Sequence, residues 1–232
     1  MIGILGGMGT QAGLDFCDKL AKLNRGKLDQ KYPMFILYNK SNTPRRSENL
    51  KKYKNVLTEL IAGCKMLEKN KCKFIVMPCN TAHYWHEDIQ KKISVPFLSM
   101  PKEVYLDTKK YCKPKSTIGL LSTQTTLDTE IYHKYFSKTF RLLSPSTKLQ
   151  KSSVNTAIKY IKMGKVKEAE KALRPAVKYL MKKKCKKIIL GCTELPIAIF
   201  AYKSFKKAKE SKIFIDPNLL LAQVCMKKYK KS

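Results

Sequence analysis

The sequence predicts an α/β fold of two similar lobes, each with a parallel β-sheet flanked by helices and related to the other by a pseudo-two-fold axis. Short apolar runs alternate with amphipathic helical patterns along the 232 residues, which is typical of parallel sheets with right-handed crossovers. The chain also nearly repeats itself, because residues 71–79 (KCKFIVMPC) resemble residues 184–192 (KCKKIILGC), and residues 2–10 resemble residues 118–126. The two halves therefore share one order of elements.

The individual elements follow from the spacing of the apolar residues. We expect strands at 2–5, 34–38, 73–77, 96–98, 117–121, 140–143, 187–190 and 213–215. Apolar residues at helical spacing predict helices over 50–69 and 165–183. Asp216 and Pro217 have the character of an N-cap and a first helical residue, and they predict a last helix over 217–229.

The last predicted strand and helix come after the second copy of the repeat is complete. Closing segments of two-lobed proteins often return to the lobe in which the chain began. We therefore expect a first lobe of residues 1–98 and 210–232, and a second lobe of residues 99–209.

The net charge of +31 is carried almost entirely by lysine, since only five of the 48 basic residues are arginines. The lysines are dispersed and are not interleaved with aromatic residues, whereas nucleic-acid readers cluster their charge and rely on arginine. We therefore interpret the charge as a solvated surface and expect no nucleic-acid partner. The positive field should still attract small acidic molecules.

The apolar runs are all shorter than the roughly 18 residues that would span a bilayer. The amino terminus lacks the pattern of a signal peptide. We therefore expect a cytoplasmic protein without a membrane partner, in which eight cysteines do not indicate disulfides. The cysteines form no C-x-x-C pair and the three histidines complete no zinc pattern, so we expect no metal.

Two cysteines, Cys79 and Cys192, differ from the others because each follows the carboxyl end of a predicted strand, where ligands of parallel sheets bind. The positive end of a following helix would favour their thiolates. The hydroxyl and amide groups of Asn80, Thr81 and Thr193 suit a carboxylate. Two such thiols on opposite sides of an acidic molecule could remove a proton from carbon and return one to the other face. The alternative is a pair of buried structural cysteines, the role that we expect for Cys72 and Cys185 at the start of the same strands.

Residues 77–83 (MPCNTAH) and 189–196 (ILGCTELP) resemble the two signature segments of the aspartate/glutamate racemase family. The Gly-Gly-Met-Gly turn that contains Met8 resembles the amino-terminal loop of that family. The resemblance extends in order over essentially the whole chain. It implies a racemase without pyridoxal phosphate, metal or any other cofactor, in which Cys79 and Cys192 are the two bases of an active site in the cleft between the lobes. Because family members are commonly dimers, we also expect a homodimer.

The resemblance further implies which residues bind the substrate. The Gly-Gly-Met-Gly loop contributes Met8. The residues that match the positions contacting the α-substituents of the amino acid are Asn80, Thr81, Thr123 and Thr193.

Two cations also match family positions that meet substrate carboxylates. Arg46 lies in the sequence Thr-Pro-Arg-Arg-Ser, where Arg45 is a rival for the same role, and Lys162 lies before a Met-Gly pair. Glu194 stands where glutamate racemases usually carry histidine, and this residue together with His83 favours the aspartate branch of the family.

We therefore expect interconversion of L- and D-aspartate, with glutamate as a further candidate substrate. Three alternatives remain open from the sequence. The first is a broad-specificity amino-acid racemase, and the second is a related isomerase or decarboxylase that uses a single base. The third is a basic nucleic-acid-binding protein built on a racemase fold, for which binding would weaken steeply with salt.

Overall fold

The computed structural model describes residues 1–24, 28–46, 53–201, 205–210 and 212–230. The chain divides into two compact units, Met1–Glu103 together with Asn218–Ser232, and Val104–Pro217. The boundaries therefore lie later in the chain than the sequence analysis placed them, at both the first crossing and the return.

The first unit contains a three-stranded parallel sheet with the strand order β2-β1-β3. Its strands and helices are β1 (Ile2–Gly6), α1 (Thr10–Lys22), β2 (Phe35–Asn39), α2 (Tyr53–Lys69), β3 (Phe74–Val76), α3 (His86–Gln90) and α4 (Met100–Tyr111), with 3₁₀ helices at Asp29–Lys31 and Thr81–Trp85. The predicted strand at 96–98 is reduced to one parallel bridge between Phe97 and Ile75. The first residues of the predicted helix 50–69 lie outside the described ranges. The chain passes from the first unit to the second within α4.

The second unit contains a four-stranded parallel sheet with the order β5-β4-β6-β7. Its elements are β4 (Thr117–Ser122), α5 (Gln124–Asp128), α6 (His133–Phe136), β5 (Arg141–Leu143), α7 (Thr147–Leu149), α8 (Thr156–Lys162), α9 (Val166–Lys182), β6 (Lys187–Gly191), α10 (Leu195–Ala201), α11 (Lys206–Glu210) and β7 (Phe214–Ile215). A π-helical segment, Gln150–Asn155, joins α7 to α8. The prediction of parallel sheets flanked by helices is confirmed.

The expectation that the strand at 213–215 returns to the first lobe is wrong. β7 pairs with β6 in the second sheet, with Phe214 opposite Ile188 and Ile215 opposite Ile189. A run this short carries no information about which sheet edge it extends. The return is made by the next helix, α12 (Pro217–Tyr229), which belongs to the first unit from Asn218 onward.

Side chains of β1 alternate between the two faces of the first sheet, as a strand requires. Leu5 packs in a cluster with α2, whereas Ile2 and Ile4 pack in a second cluster with α1 and α12. A separate cluster of the second unit is built around α8, α9 and α10. Within the described ranges, the structure has no helix with the length and apolar content needed to cross a membrane.

The sequence repeat has a counterpart in packing, because one glycine and one cysteine meet in each unit. A Cβ atom added at Gly3 would lie 3.1 Å from Cys72 Cβ, and one added at Gly119 would lie 3.5 Å from Cys185 Sγ and 2.9 Å from Leu180 Cδ1. Both cysteines are buried. Cys72 and Cys185 thus fill the space beside a central strand, as their expected structural role requires.

The repeat also extends to backbone conformation, since Lys71 and Lys184 have φ angles of 58° and 57°. This left-handed conformation is costly for a residue with a Cβ atom and nearly free for glycine. We therefore expect Lys71→Gly and Lys184→Gly each to raise the free energy of unfolding by about 0.5–1 kcal/mol, as measured by urea denaturation. Lys183→Gly is the control, because Lys183 has a φ of −75° and should gain nothing. An equal gain at Lys183 would refute the conformational explanation.

Candidate active site

Cys79 lies on the loop between β3 and the 3₁₀ helix Thr81–Trp85. Its backbone N–H donates to the carbonyl oxygen of Met77 at 2.8 Å, so the chain turns sharply around Pro78. The Cys79 side chain is 5% exposed. The two following polar residues, Asn80 and Thr81, are buried as well. The structure therefore places the first predicted base and two predicted substrate ligands on one tight loop.

Cys192 directly follows β6 in the second unit and is also 5% exposed. Its thiol donates a hydrogen bond to Glu194 Oε2 at 2.9 Å. The Thr193 hydroxyl donates to the same oxygen at 3.2 Å. One carboxylate oxygen thus accepts hydrogen bonds from both members of the Cys-Thr pair.

Burial raises the pKa of the Cys192 thiol well above its usual value, and the charge and hydrogen bonding of Glu194 raise it further. The positive charge of Lys162 acts in the opposite direction. The expectation that the positive end of the following helix favours the thiolate form of Cys192 is therefore wrong. The helix dipole acts mainly over the first turn of a helix, and here desolvation and an adjacent carboxylate outweigh it. Cys192 rests as a thiol.

Thr123 lies close to Cys192 in the sheet order. Ser122 and Gly191, the last residues of β4 and β6, are opposite each other, so Thr123 and Cys192 follow neighbouring strand ends. The Thr123 hydroxyl oxygen accepts the backbone N–H of Thr126 at 3.1 Å and caps α5. This cap fixes the position of the Thr123 side chain.

Lys162 is the last residue of α8 and is exposed. Its positive charge lowers the pKa of the Cys192 thiol, an influence smaller than those of burial and Glu194. In the second unit Cys192 and Thr193 thus share Glu194 as a hydrogen-bond partner, and Thr123 follows the neighbouring strand end, while the substrate-binding roles of Thr123, Thr193 and Lys162 stay predictions.

In the first unit Arg46 contacts the loop that contains Met8. The Arg46 guanidinium donates to the Met8 carbonyl oxygen through Nη2 at 2.8 Å and to the Pro44 carbonyl oxygen through Nη1 at 3.3 Å. A guanidinium has five N–H donors, so these two bonds leave capacity for a ligand carboxylate. Arg45 is exposed, whereas Arg46 is half-buried. Arg46 is therefore anchored at the Met8 loop.

The loop that contains Met8 can form only because Gly7 has a φ of 89°. A Cβ atom at this position would lie 2.3 Å from the carbonyl carbon of Lys40. Since β1 lies between β2 and β3 in a parallel sheet, the Met8 loop and the Cys79 loop follow the same edge of that sheet. Met8 is buried there.

The sequence analysis assigned no structural or catalytic role to two residues near the thiols, Glu194 and His83. Glu194 served only to mark a branch of the family, although its position two residues after Cys192 could have suggested a partner. His83 is buried, and both of its ring nitrogens bond to backbone groups of the first unit. Among the described residues, no group of three or more His, Cys, Asp or Glu side chains is arranged to hold a metal ion.

The fold and the two thiols define a class of α/β proteins that carry one cysteine at the carboxyl edge of each of two parallel sheets. The model of the family described as Asp/Glu/hydantoin racemase matches residues 5–225. The chain belongs to this family.

Several relatives are similar to this chain. The broad specificity amino-acid racemase RacX of Bacillus subtilis (strain 168) is 35% identical over 138 residues, which cover 58% of this chain and 59% of that protein. The match thus spans little more than half the length of this curated relative. The structure of Picrophilus torridus aspartate racemase is 28% identical with a TM-score of 0.83, and the alignment covers 99% of this chain and 94% of that one. A glutamate racemase from Thermus thermophilus shares the fold, with 20% identity, a TM-score of 0.69, and coverage of 99% of this chain and 80% of that one.

Proposed function

We propose that the protein is an amino-acid racemase that interconverts L- and D-aspartate with two cysteine bases and no cofactor. The observation that carries the proposal is the duplicated placement of Cys79 and Cys192, each just beyond a parallel strand and each followed by polar residues. Membership of the racemase family supports the reaction type. The similarity to an aspartate racemase over nearly the full length of both chains supports the substrate.

In the proposed reaction one cysteine acts as thiolate and removes the α-proton of the substrate. The other cysteine, as thiol, delivers its proton to the opposite face of the same carbon. The product has the opposite configuration, and the two sulfur atoms have exchanged protonation states. Because Cys192 rests as a thiol beside Glu194, it can serve as the proton donor for the enantiomer whose α-proton faces Cys79. The second enantiomer requires the form in which Cys192 is ionised.

The substrate class follows from the charges around the thiols. Aspartate carries two carboxylates, and each unit has a cation near its cysteine loop, Arg46 at the Met8 loop and Lys162 within electrostatic reach of Cys192. The forked guanidinium of Arg46 suits a carboxylate because two parallel N–H groups can bind both oxygens. The net charge of +31 would also concentrate acidic substrates near the protein.

The proposal is tested by incubating purified protein with each enantiomer of Asp, Glu, Ala and Ser and separating the products by chiral chromatography. We expect racemisation of aspartate whether the reaction starts from the L- or the D-enantiomer. We also expect the activity to persist after dialysis against a chelator. Similar rates on all four amino acids would instead support a broad-specificity racemase, the second candidate, which the 35% identity to RacX favours. Loss of α-carboxylate without inversion would identify a decarboxylase.

The contact between Cys192 and Glu194 predicts an asymmetric pH dependence. Because the pKa of Cys192 is raised, its thiolate fraction at neutral pH is small and grows about tenfold for each pH unit. The kcat/KM for the enantiomer that uses Cys192 as base should follow this rise. Glu194→Gln removes the charge that opposes ionisation, so the rise should shift to lower pH. Iodoacetamide should also alkylate Cys192 faster, as read by peptide mass spectrometry.

Lys162→Ala provides a control of opposite sign. The charge of Lys162 lowers the pKa of Cys192, so its removal should slow alkylation and shift the pH profile upward. If both variants shift the profile in the same direction, electrostatic control of Cys192 is excluded and a change in access to the thiol explains the result.

A further inference from the structure

We propose that His83 is a positioning residue for Cys79. One ring nitrogen of His83 binds the Cys79 carbonyl, and the other binds the backbone nitrogen of the first residue of α4. The inference deepens the proposed function and rests on Cys79 being a catalytic base. His83 takes no direct part in the proton transfers, since its ring nitrogens bond to backbone atoms and not to the thiol.

The two contacts of the ring fix its protonation state. His83 Nε2 lies 3.1 Å from the backbone nitrogen of Met100, which can only donate, so Nε2 must be the acceptor. His83 Nδ1 lies 2.8 Å from the Cys79 carbonyl oxygen, which can only accept, so Nδ1 must carry the hydrogen. Both contacts are satisfied by one species, the neutral imidazole with its proton on Nδ1. The other tautomer would place donor against donor and acceptor against acceptor.

The surroundings of His83 maintain the neutral state. The residue is buried, and its ring is stacked with those of His86 and Phe97, with centroids 6.0 Å away in each case. Burial, together with the neighbouring His86, lowers the pKa of His83 to about 4, and this effect outweighs the backbone contacts of the ring, which act in the opposite direction. The ring therefore stays uncharged at physiological pH, and both backbone bonds persist.

The consequence for Cys79 is that both polar groups of its backbone are held. Its N–H is bonded to the Met77 carbonyl, and its C=O is bonded to the His83 ring. The His83 backbone N–H in turn donates to the Asn80 carbonyl at 3.0 Å, which closes the loop on itself. The Cα and Cβ atoms of Cys79 move together with its carbonyl group. Loss of the hydrogen bond from His83 therefore lets the sulfur atom shift from its position. A displacement of about 1 Å in a reacting group can reduce the rate roughly 100-fold.

Two amide variants separate the two bonds. His83→Asn keeps a donor at the place of Nδ1 and retains the bond to Cys79, whereas His83→Gln extends to the place of Nε2 and retains only an acceptor for Met100. Both variants lose the same ring, so their losses of unfolding free energy should be similar. We expect kcat on aspartate to fall roughly 100-fold in His83→Gln and to stay within about threefold of wild type in His83→Asn, with KM little changed in either.

A second readout does not depend on racemisation. The rate of Cys79 alkylation, followed by peptide mass spectrometry, should change in His83→Gln and remain near wild type in His83→Asn. His86→Gln is the matched control, because it removes a ring from the same stack without a bond to Cys79, and it should leave both readouts near wild type. Equal effects of the two His83 variants on kcat and on alkylation would overturn the proposal.

A measurement on the unaltered protein covers the case in which the variants do not fold. Long-range ¹H–¹⁵N NMR of ¹⁵N-histidine-labelled protein distinguishes the two tautomers and the imidazolium. We expect His83 to be neutral with its proton on Nδ1 at pH 7, and either of the other two species would overturn the proposal. Absence of racemisation in wild-type protein would refute the proposed function, while the tautomer and alkylation results would still decide the role of His83.

Discussion

Replacement of Cys79 or Cys192 with serine is expected to lower kcat/KM for aspartate racemisation by roughly 10²–10⁴-fold, the usual contribution of a general acid or base. Serine preserves the size of the side chain but raises its pKa by several units, so it neither accepts nor donates a proton at a useful rate. The two variants should differ by enantiomer. In D₂O, the variant that retains the base for a given enantiomer can still exchange its α-hydrogen for deuterium without inverting it.

The controls are Cys72→Ala and Cys185→Ala, at the other cysteines of the same duplicated segments. Both are buried beside Gly3 and Gly119, so their loss should reduce the free energy of unfolding while leaving kcat near wild type. Retention of most racemase activity by either Cys79→Ser or Cys192→Ser would rule out the two-thiol mechanism.

Arg46→Ala is expected to reduce kcat/KM for aspartate roughly 10- to 150-fold, which corresponds to the loss of a charge-assisted hydrogen bond worth about 1.5–3 kcal/mol. Racemisation needs only the α-carbon and its carboxylate, so slow turnover of alanine should change little. Inhibition constants provide an independent measurement, since succinate should lose affinity in the variant and propionate should not.

Arg45→Ala is the matched control, because Arg45 is adjacent in sequence but exposed, and its removal should have little effect. Arg46 also holds the Met8 carbonyl, so a purely structural role would damage the loop for every substrate. Equal losses on aspartate and alanine would therefore assign Arg46 to the Met8 loop. An effect at Arg45 with none at Arg46 would transfer the carboxylate contact to Arg45.

Much of the fold could be predicted because the two halves of the chain contain similar sequence segments in the same order. The resemblance between residues 71–79 and 184–192 identified two strands, and parallel sheets place whatever follows such strands at a common edge. This argument located Cys79 and Cys192 without any knowledge of tertiary contacts. It could not assign β7, because Phe214 and Ile215 form a strand of two residues whose partner is chosen by the sheet edge that happens to be available.

The electrostatic state of the site could not be predicted in the same way. The pKa of Cys192 depends on how deeply the sulfur is buried and on the conformation of Glu194, and neither is encoded in local spacing. The roles of His83 and Arg46 depend similarly on backbone carbonyls, at Cys79 and at Met8, that no residue pattern reveals. Sequence identified which residues follow the strand ends, whereas protonation and anchoring required the structure.

The raised pKa of Cys192 has a consequence for resistance to oxidants. Peroxides attack the thiolate and not the thiol, so a cysteine kept protonated by burial is oxidised slowly to the sulfenic acid. Burial raises the pKa in the same direction at six further cysteines, Cys17, Cys64, Cys72, Cys112, Cys185 and Cys225. The chain can therefore carry many sulfhydryl groups and still react sluggishly with peroxide, and Cys192 becomes vulnerable mainly during turnover, when it has given its proton to the substrate.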